Sequence, residues 1–138
     1  MPKLKELALF GVAGTAGFLI DSAVLYLLKE TLGLYGARAT SFLCAVIGTW
    51  LINRRLTFRH RSSNLPLHKE FAKYLAMMLL GGAANYAIYV LSVYANSTVR
   101  EHPIIGVALG SLAGMVINYA QMKFLLFKAK PVPNDKQE

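Results

Sequence analysis

Apolar residues run through this chain in four long stretches, 7–28, 37–52, 71–94 and 104–127, with charge clustered between them. None carries the polar stripe that a helix in a soluble bundle turns towards water. A helix needs about 20 predominantly apolar residues to cross a bilayer. Each stretch is near or above that length if the second ends at the interface, so the pattern predicts four transmembrane helices. Lys3 and Lys5 ahead of the first stretch resemble the start of a signal peptide. That stretch is longer than a typical signal core, however, and its small residues lie inside it rather than at a cleavage boundary. A retained helix is therefore expected. Breakers divide the stretches: Gly33 and Gly36 in a short first turn, a polar loop at 59–68 with Pro66, and a second loop at 95–103. Residues 1–130 form one predicted transmembrane domain, and the polar tail 131–138 is expected to be disordered.

The stretches are paired. Shifted by 64 positions, Lys5 and Glu6 fall on Lys69 and Glu70, Phe10 on Tyr74, Gly17 on Gly81 and Asp21 on Asn85. Shifted by 69, Arg54 falls on Lys123 and Phe58 on Phe127. The second stretch carries Ala37, Ser41, Ala45 and Thr49 at fourfold spacing, and the fourth carries Gly106, Gly110, Gly114 and Asn118 at matching positions. Residues four apart share a helical face, and small residues there let two backbones approach closely. Gly17, Gly81, Gly106, Gly110 and Gly114 are the predicted packing positions. Chance likeness between apolar helices explains shared Gly, Ala and Leu, but not the polar matches. The expected architecture is an all-α membrane protein: four transmembrane helices built as two helical hairpins. Each hairpin crosses twice, so the repeat is parallel rather than inverted.

Composition adds a partner class and an orientation. The 138 residues are 55% hydrophobic, with a formal net charge of +8. Twelve of the basic residues lie at the N-terminus, the middle loop and the C-terminal end; only Lys29, Arg38 and Arg100 lie in the other two loops. By the positive-inside rule both termini face the cytoplasm, and the basic side meets anionic membrane lipids. Nucleic-acid binding is not expected, because the basic residues sit at helix ends and no nucleic-acid motif is present. Cys44, the single cysteine, excludes an internal disulfide and reads as a buried, inert thiol. His60, His68 and His102 lie in loops without ligand spacing. With no nucleophile motif, metal cluster or phosphate-binding glycine loop, no enzymatic activity, metal or cofactor is expected.

Two polar levels remain. Asp21 stands inside an apolar run, where a carboxylate costs about 2.5–3.5 kcal/mol even on lenient insertion scales. It shares a face with Gly17, as Asn85 does with Gly81. At about 1.5 Å per residue both fall in the outer half of the membrane, where they could face each other across the bundle axis. Asp21 can bind a proton, a cation or sugar hydroxyls; alternatively it is protonated and bonded to Asn85 or Ser22 for packing. The second level is the cytoplasmic rim of Asn53, Arg54, Arg55 and Lys123, below Trp50. Such basic residues can bind an anionic lipid headgroup, or they are ordinary flanking charge with Trp50 as an interfacial anchor. Thr49, Asn118 and Gln121 are polar positions just above this rim.

The segments FGVAGTAGFLIDSAVLYLL, SFLCAVIGTWLINRRLTF and FAKYLAMMLLGGAANYAIYVL resemble the GtrA-like membrane proteins. The most specific part is the end of the second stretch, Asn53, Arg54, Thr57 and Phe58; Asp21 also matches. The resemblance extends over 7–128 and is weaker in the fourth helix, where Lys123 stands at a position often held by arginine. It implies a role in cell-surface polysaccharide synthesis: translocation of a polyprenyl-phosphate-linked sugar across the cytoplasmic membrane, or assistance to a glycosyltransferase that uses it. In the translocation reading Asn53, Arg54, Arg55 and Lys123 bind the lipid phosphate, and Asp21, Asn85, Asn118 and Gln121 serve the sugar, a proton or gating. Four helices of this size enclose little space, which leaves room for a homodimer. A small proton-coupled cation exporter is the remaining alternative, since it too has four helices and an acidic residue in the first.

Overall fold

The computed structural model describes residues 2–129, so the tail expected to be disordered, 131–138, lies outside the described residues. Helix α1 (Lys3–Ile52) is two helical arms joined at Gly33, whose φ of 71° and ψ of 172° break it. It is followed by a π-helical turn, Asn53–Thr57, and a two-residue strand β1 (Arg61–Ser62). The second half repeats the plan with α2 (Leu67–Ala95), a short α3 (Ser97–Glu101) and α4 (Pro103–Gln121). A second π-helical turn, Met122–Leu126, and strand β2 (Lys128–Ala129) complete it. The described residues fall into two compact units, 2–65 with 126–129, and Pro66–Leu125.

The repeat governs where elements begin and end. Pro2 and Pro66, 64 positions apart, precede α1 and α2 with nearly the same backbone (φ −58°, ψ 138° and φ −56°, ψ 149°). Proline fixes φ before a first turn whose N–H groups have no helical acceptor. Glu6 and Glu70 follow in the first turns, where the helix macrodipole favours a negative charge. The two π-turns stand 69 positions apart, each followed by a phenylalanine. Phe58 and Phe127 are both 1% exposed and stack with centroids 5.2 Å apart at 15°. Beside them β1 pairs antiparallel with β2, Arg61 opposite Ala129 and Ser62 opposite Lys128.

The packing is inverted relative to a soluble bundle. Phe18, Leu27, Leu80, Tyr86, Leu91 and Val116 are all at least 60% exposed, while Ala37 and Ser41 are fully buried and Ala13 is 1% exposed. Exposed apolar surface on this scale marks a membrane-facing exterior, and small residues at the contacts are the membrane mode of helix association. Three helices are long and apolar enough to cross a bilayer: Lys3–Gly33, Leu67–Ala95 and Ile104–Leu126. The arm of α1 beyond Gly33, which holds the second apolar stretch, is not among them. Two local expectations need correction. The loop at 95–103 contains helix α3, because Asn96 Oδ1 accepts from the backbone N–H groups of Thr98 (2.9 Å) and Val99 (3.3 Å) and caps it. Cys44 is only half-buried rather than sealed in a core.

Arg100 shows how the second turn is held. Its guanidinium donates to the carbonyls of Val93 (3.3 Å) and Tyr94 (2.9 Å), satisfying acceptors left open at the end of α2. The first turn depends instead on Gly33, in a backbone region essentially reserved for glycine. Gly33→Ala is expected to destabilise the protein by about 1–3 kcal/mol, read as a lower unfolding midpoint in detergent. An unchanged midpoint would show that the break is not fixed by that residue.

Candidate functional site

Within the first hairpin, Asp21 is not the lone carboxylate its residue type implies. Its Oδ2 accepts from Arg38 Nη1 at 2.5 Å, with the aspartate side chain 19% exposed and the arginine 58% exposed. The partner is thus Arg38, on the arm beyond Gly33, and not the Asn85 or Ser22 that the sequence suggests. An opposite charge offsets much of the penalty for a carboxylate at membrane depth. The second oxygen, Oδ1, is buried and has no hydrogen-bond partner among the described residues. Deeper in this hairpin Gly17 packs against Thr49: a Cβ there would collide with Thr49 Cγ2.

The second hairpin repeats the contact with different chemistry. A Cβ on Gly81 would fall on the Asn118 carboxamide; Gly81 and Asn118 are the counterparts of Gly17 and Thr49. Asn118 Oδ1 is the other buried acceptor with no partner among the described residues. Asn85 packs on the glycine ladder, where a Cβ on Gly110 would lie 2.5 Å from the Asn85 carbonyl oxygen and one on Gly114 3.1 Å from Asn85 Cβ. Gly106 lies under the Tyr89 ring. Gln121 Nε2 donates to the Met77 carbonyl at 3.3 Å. Asn85, Asn118 and Gln121 all sit on the α2–α4 contact.

The four residues of the predicted rim divide. Arg54 and Arg55 are exposed on the first π-turn, whereas Asn53 is 2% exposed. Asn53 Oδ1 accepts from Thr57 Oγ1 at 2.9 Å, and its backbone carbonyl accepts from the N–H of Phe58 at 2.8 Å. Asn53 therefore holds the π-turn that presents the arginines. On the second π-turn Lys123 is 8% exposed. Its ammonium donates to Tyr119 Oη at 3.1 Å and lies 5.3 Å from that ring's centroid. Lys73 Nζ donates to the Leu125 carbonyl at 2.9 Å on the same turn. The matched positions 54 and 123 thus hold an exposed cation in one half and a buried one in the other.

Two functional candidates are not singled out by residue type. Glu6 and Glu70 are 5% and 2% exposed, although carboxylates at helix starts normally face water. Glu6 Oε2 pairs with Arg61 Nε at 3.5 Å. Their signal was the coincidence of Lys5-Glu6 with Lys69-Glu70, which is invisible in either half alone.

Residues 9–127 match the family described as GtrA/DPMS, transmembrane domain. The chain belongs to this family. No curated protein and no solved structure matches it. Membership places the chain among multi-pass membrane proteins involved, at family level, in polyprenyl-phosphate sugar translocation, in a family that is generally non-catalytic.

The Asp21–Arg38 pair gives the two GtrA-type hairpins different characters. Under the repeat, positions 21 and 38 correspond to 85 and 107, where Asn85 and Val107 are both neutral. Neither charge has a counterpart in the second hairpin, so no single charge is left without its partner there. Asp21→Asn and Arg38→Val should each destabilise the protein, and the double variant should recover part of the loss. Because Arg38 is largely exposed, a coupling of about 0.5–1 kcal/mol is expected from a double-mutant cycle; zero coupling would mean that the contact contributes nothing.

Proposed function

We propose that this protein moves a polyprenyl-phosphate-linked sugar across the cytoplasmic membrane, with both termini in the cytoplasm. The observation that carries the reading is a buried acceptor with no donor among the described residues in each hairpin, Asp21 Oδ1 in the first and Asn118 Oδ1 in the second. A buried acceptor left unpaired costs about 1–3 kcal/mol, and a saccharide offers hydroxyl donors. Arg54 and Arg55, exposed on the π-turn, supply the fork geometry that suits a lipid phosphate. The apolar exterior suits a polyprenyl tail that stays in lipid while the headgroup moves. The exporter alternative is weakened because Asp21 is already paired with Arg38, leaving less free charge for a cationic cargo. A membrane glycosyltransferase on the far side is the class of partner that would consume the product.

The test is translocation in vesicles of purified protein. Reconstituted wild type should speed the appearance of lipid-linked sugar in the opposite leaflet, and Arg54→Ala combined with Arg55→Ala should slow it by about tenfold or more, the equivalent of roughly one lost charge-assisted contact. Wild-type vesicles no faster than protein-free ones would sink the proposal.

A further inference from the structure

A groove of about 310 Å³ opens on the second hairpin between α2 and α4, lined by Gly82, Asn85, Tyr86, Tyr89, Val107 and Ser111. Four of these six carry hydrogen-bonding side chains, on a hairpin whose other large exposed side chains are mostly Leu, Val and Ile. Among the described residues none of those four side chains is hydrogen-bonded to another group of the protein. Polar groups in hydrocarbon are costly unless paired, so their concentration in one concavity needs an occupant that can pair with them.

The repeat shows what distinguishes this face. Gly82 corresponds to Phe18 and Ser111 to Phe42; Asn85 and Val107 correspond to the ion-paired Asp21 and Arg38. Where the first hairpin has two bulky rings and a fixed charge pair, the second has a glycine, a serine and an amide with no cation to hold it. Helix packing alone does not require that difference, since Gly17 and Gly81 serve the same contact in both halves.

We infer that this groove is a further saccharide subsite, distinct from the buried acceptors Asp21 Oδ1 and Asn118 Oδ1, taking a single sugar ring of the lipid-linked cargo. Its volume is at the small end of the range for ligand sites, about 300–1,000 Å³. Tyr86 and Tyr89 present an apolar face and a polar tip to one ligand. The Asn85 amide both donates and accepts, as does the Ser111 hydroxyl, which matches the alternating donors and acceptors of a sugar. Gly82 leaves the ring room against the backbone. The assignment rests on the translocation reading above and adds to it a further place and further residues of sugar recognition.

Binding in detergent, measured by native mass spectrometry, separates the two ideas. The probes are bare polyprenyl phosphate and polyprenyl phosphates bearing one glucosyl, galactosyl, mannosyl or arabinosyl group. Wild type should bind at least one glycosylated lipid about tenfold more tightly than the bare lipid. Ser111→Phe, which restores the first hairpin's residue, and Tyr86→Leu should each erase that preference while leaving bare-lipid affinity within about twofold. Equal affinity for all five lipids, or loss of bare-lipid binding in both variants, would overturn the subsite and leave the phosphate reading standing. If no lipid binds at all, both fall. Disulfide formation between copies of a Tyr86→Cys variant in the bilayer would put a second chain in the groove and overturn the assignment.

Discussion

Helices that meet in lipid gain little by excluding water from apolar surface, so their association depends on how closely two backbones can approach. In this protein that constraint is met at one repeated contact, a glycine of the first helix under a polar side chain of its neighbour: Gly17 with Thr49, and Gly81 with Asn118. The remaining architecture is compatible with it. Many large apolar side chains face outward, and Asn118 and Gln121 lie on the contact face between α2 and α4.

The ends of the hairpins follow a different rule. Each closes on a five-residue π-helical turn followed by a buried phenylalanine. A wide turn leaves some backbone groups without their usual helical partners and is frequent at functional sites. The groups around it are therefore satisfied individually: Thr57 on Asn53, Lys73 on the Leu125 carbonyl. These bonds decide which cations are presented to the surroundings. Arg54 and Arg55 project from a turn held by Asn53, while Lys123 folds back onto Tyr119. The basic character of the rim is thus a property of residue composition, and its accessibility a property of local hydrogen bonding.

The two halves share a plan but differ in chemistry. The first hairpin keeps a carboxylate–guanidinium pair near its turn, and the second has an amide and a valine at those positions. Neutral residues at both positions leave no charge stranded in a medium of low dielectric. They also free the amide face of α2 for other work, whereas Asp21 retains only one oxygen outside its ion pair.

Much of this was determined by sequence alone. Spacing of apolar, small and glycine residues fixed the hairpins, the packing faces and even the offsets of the repeat, because each depends on helical periodicity and on neighbours a few positions away. The family was legible through Asn53, Arg54, Thr57 and Phe58 for the same reason. Tertiary structure decided the partners. That Asp21 pairs with Arg38, that Asn53 and Lys123 are sheltered while Arg54 and Arg55 are exposed, and that Glu6 and Glu70 are buried all depend on contacts between chain segments brought together by folding. A side chain's charge can be read from its identity, but its desolvation and its partner are set by three-dimensional neighbours, and no local pattern encodes them.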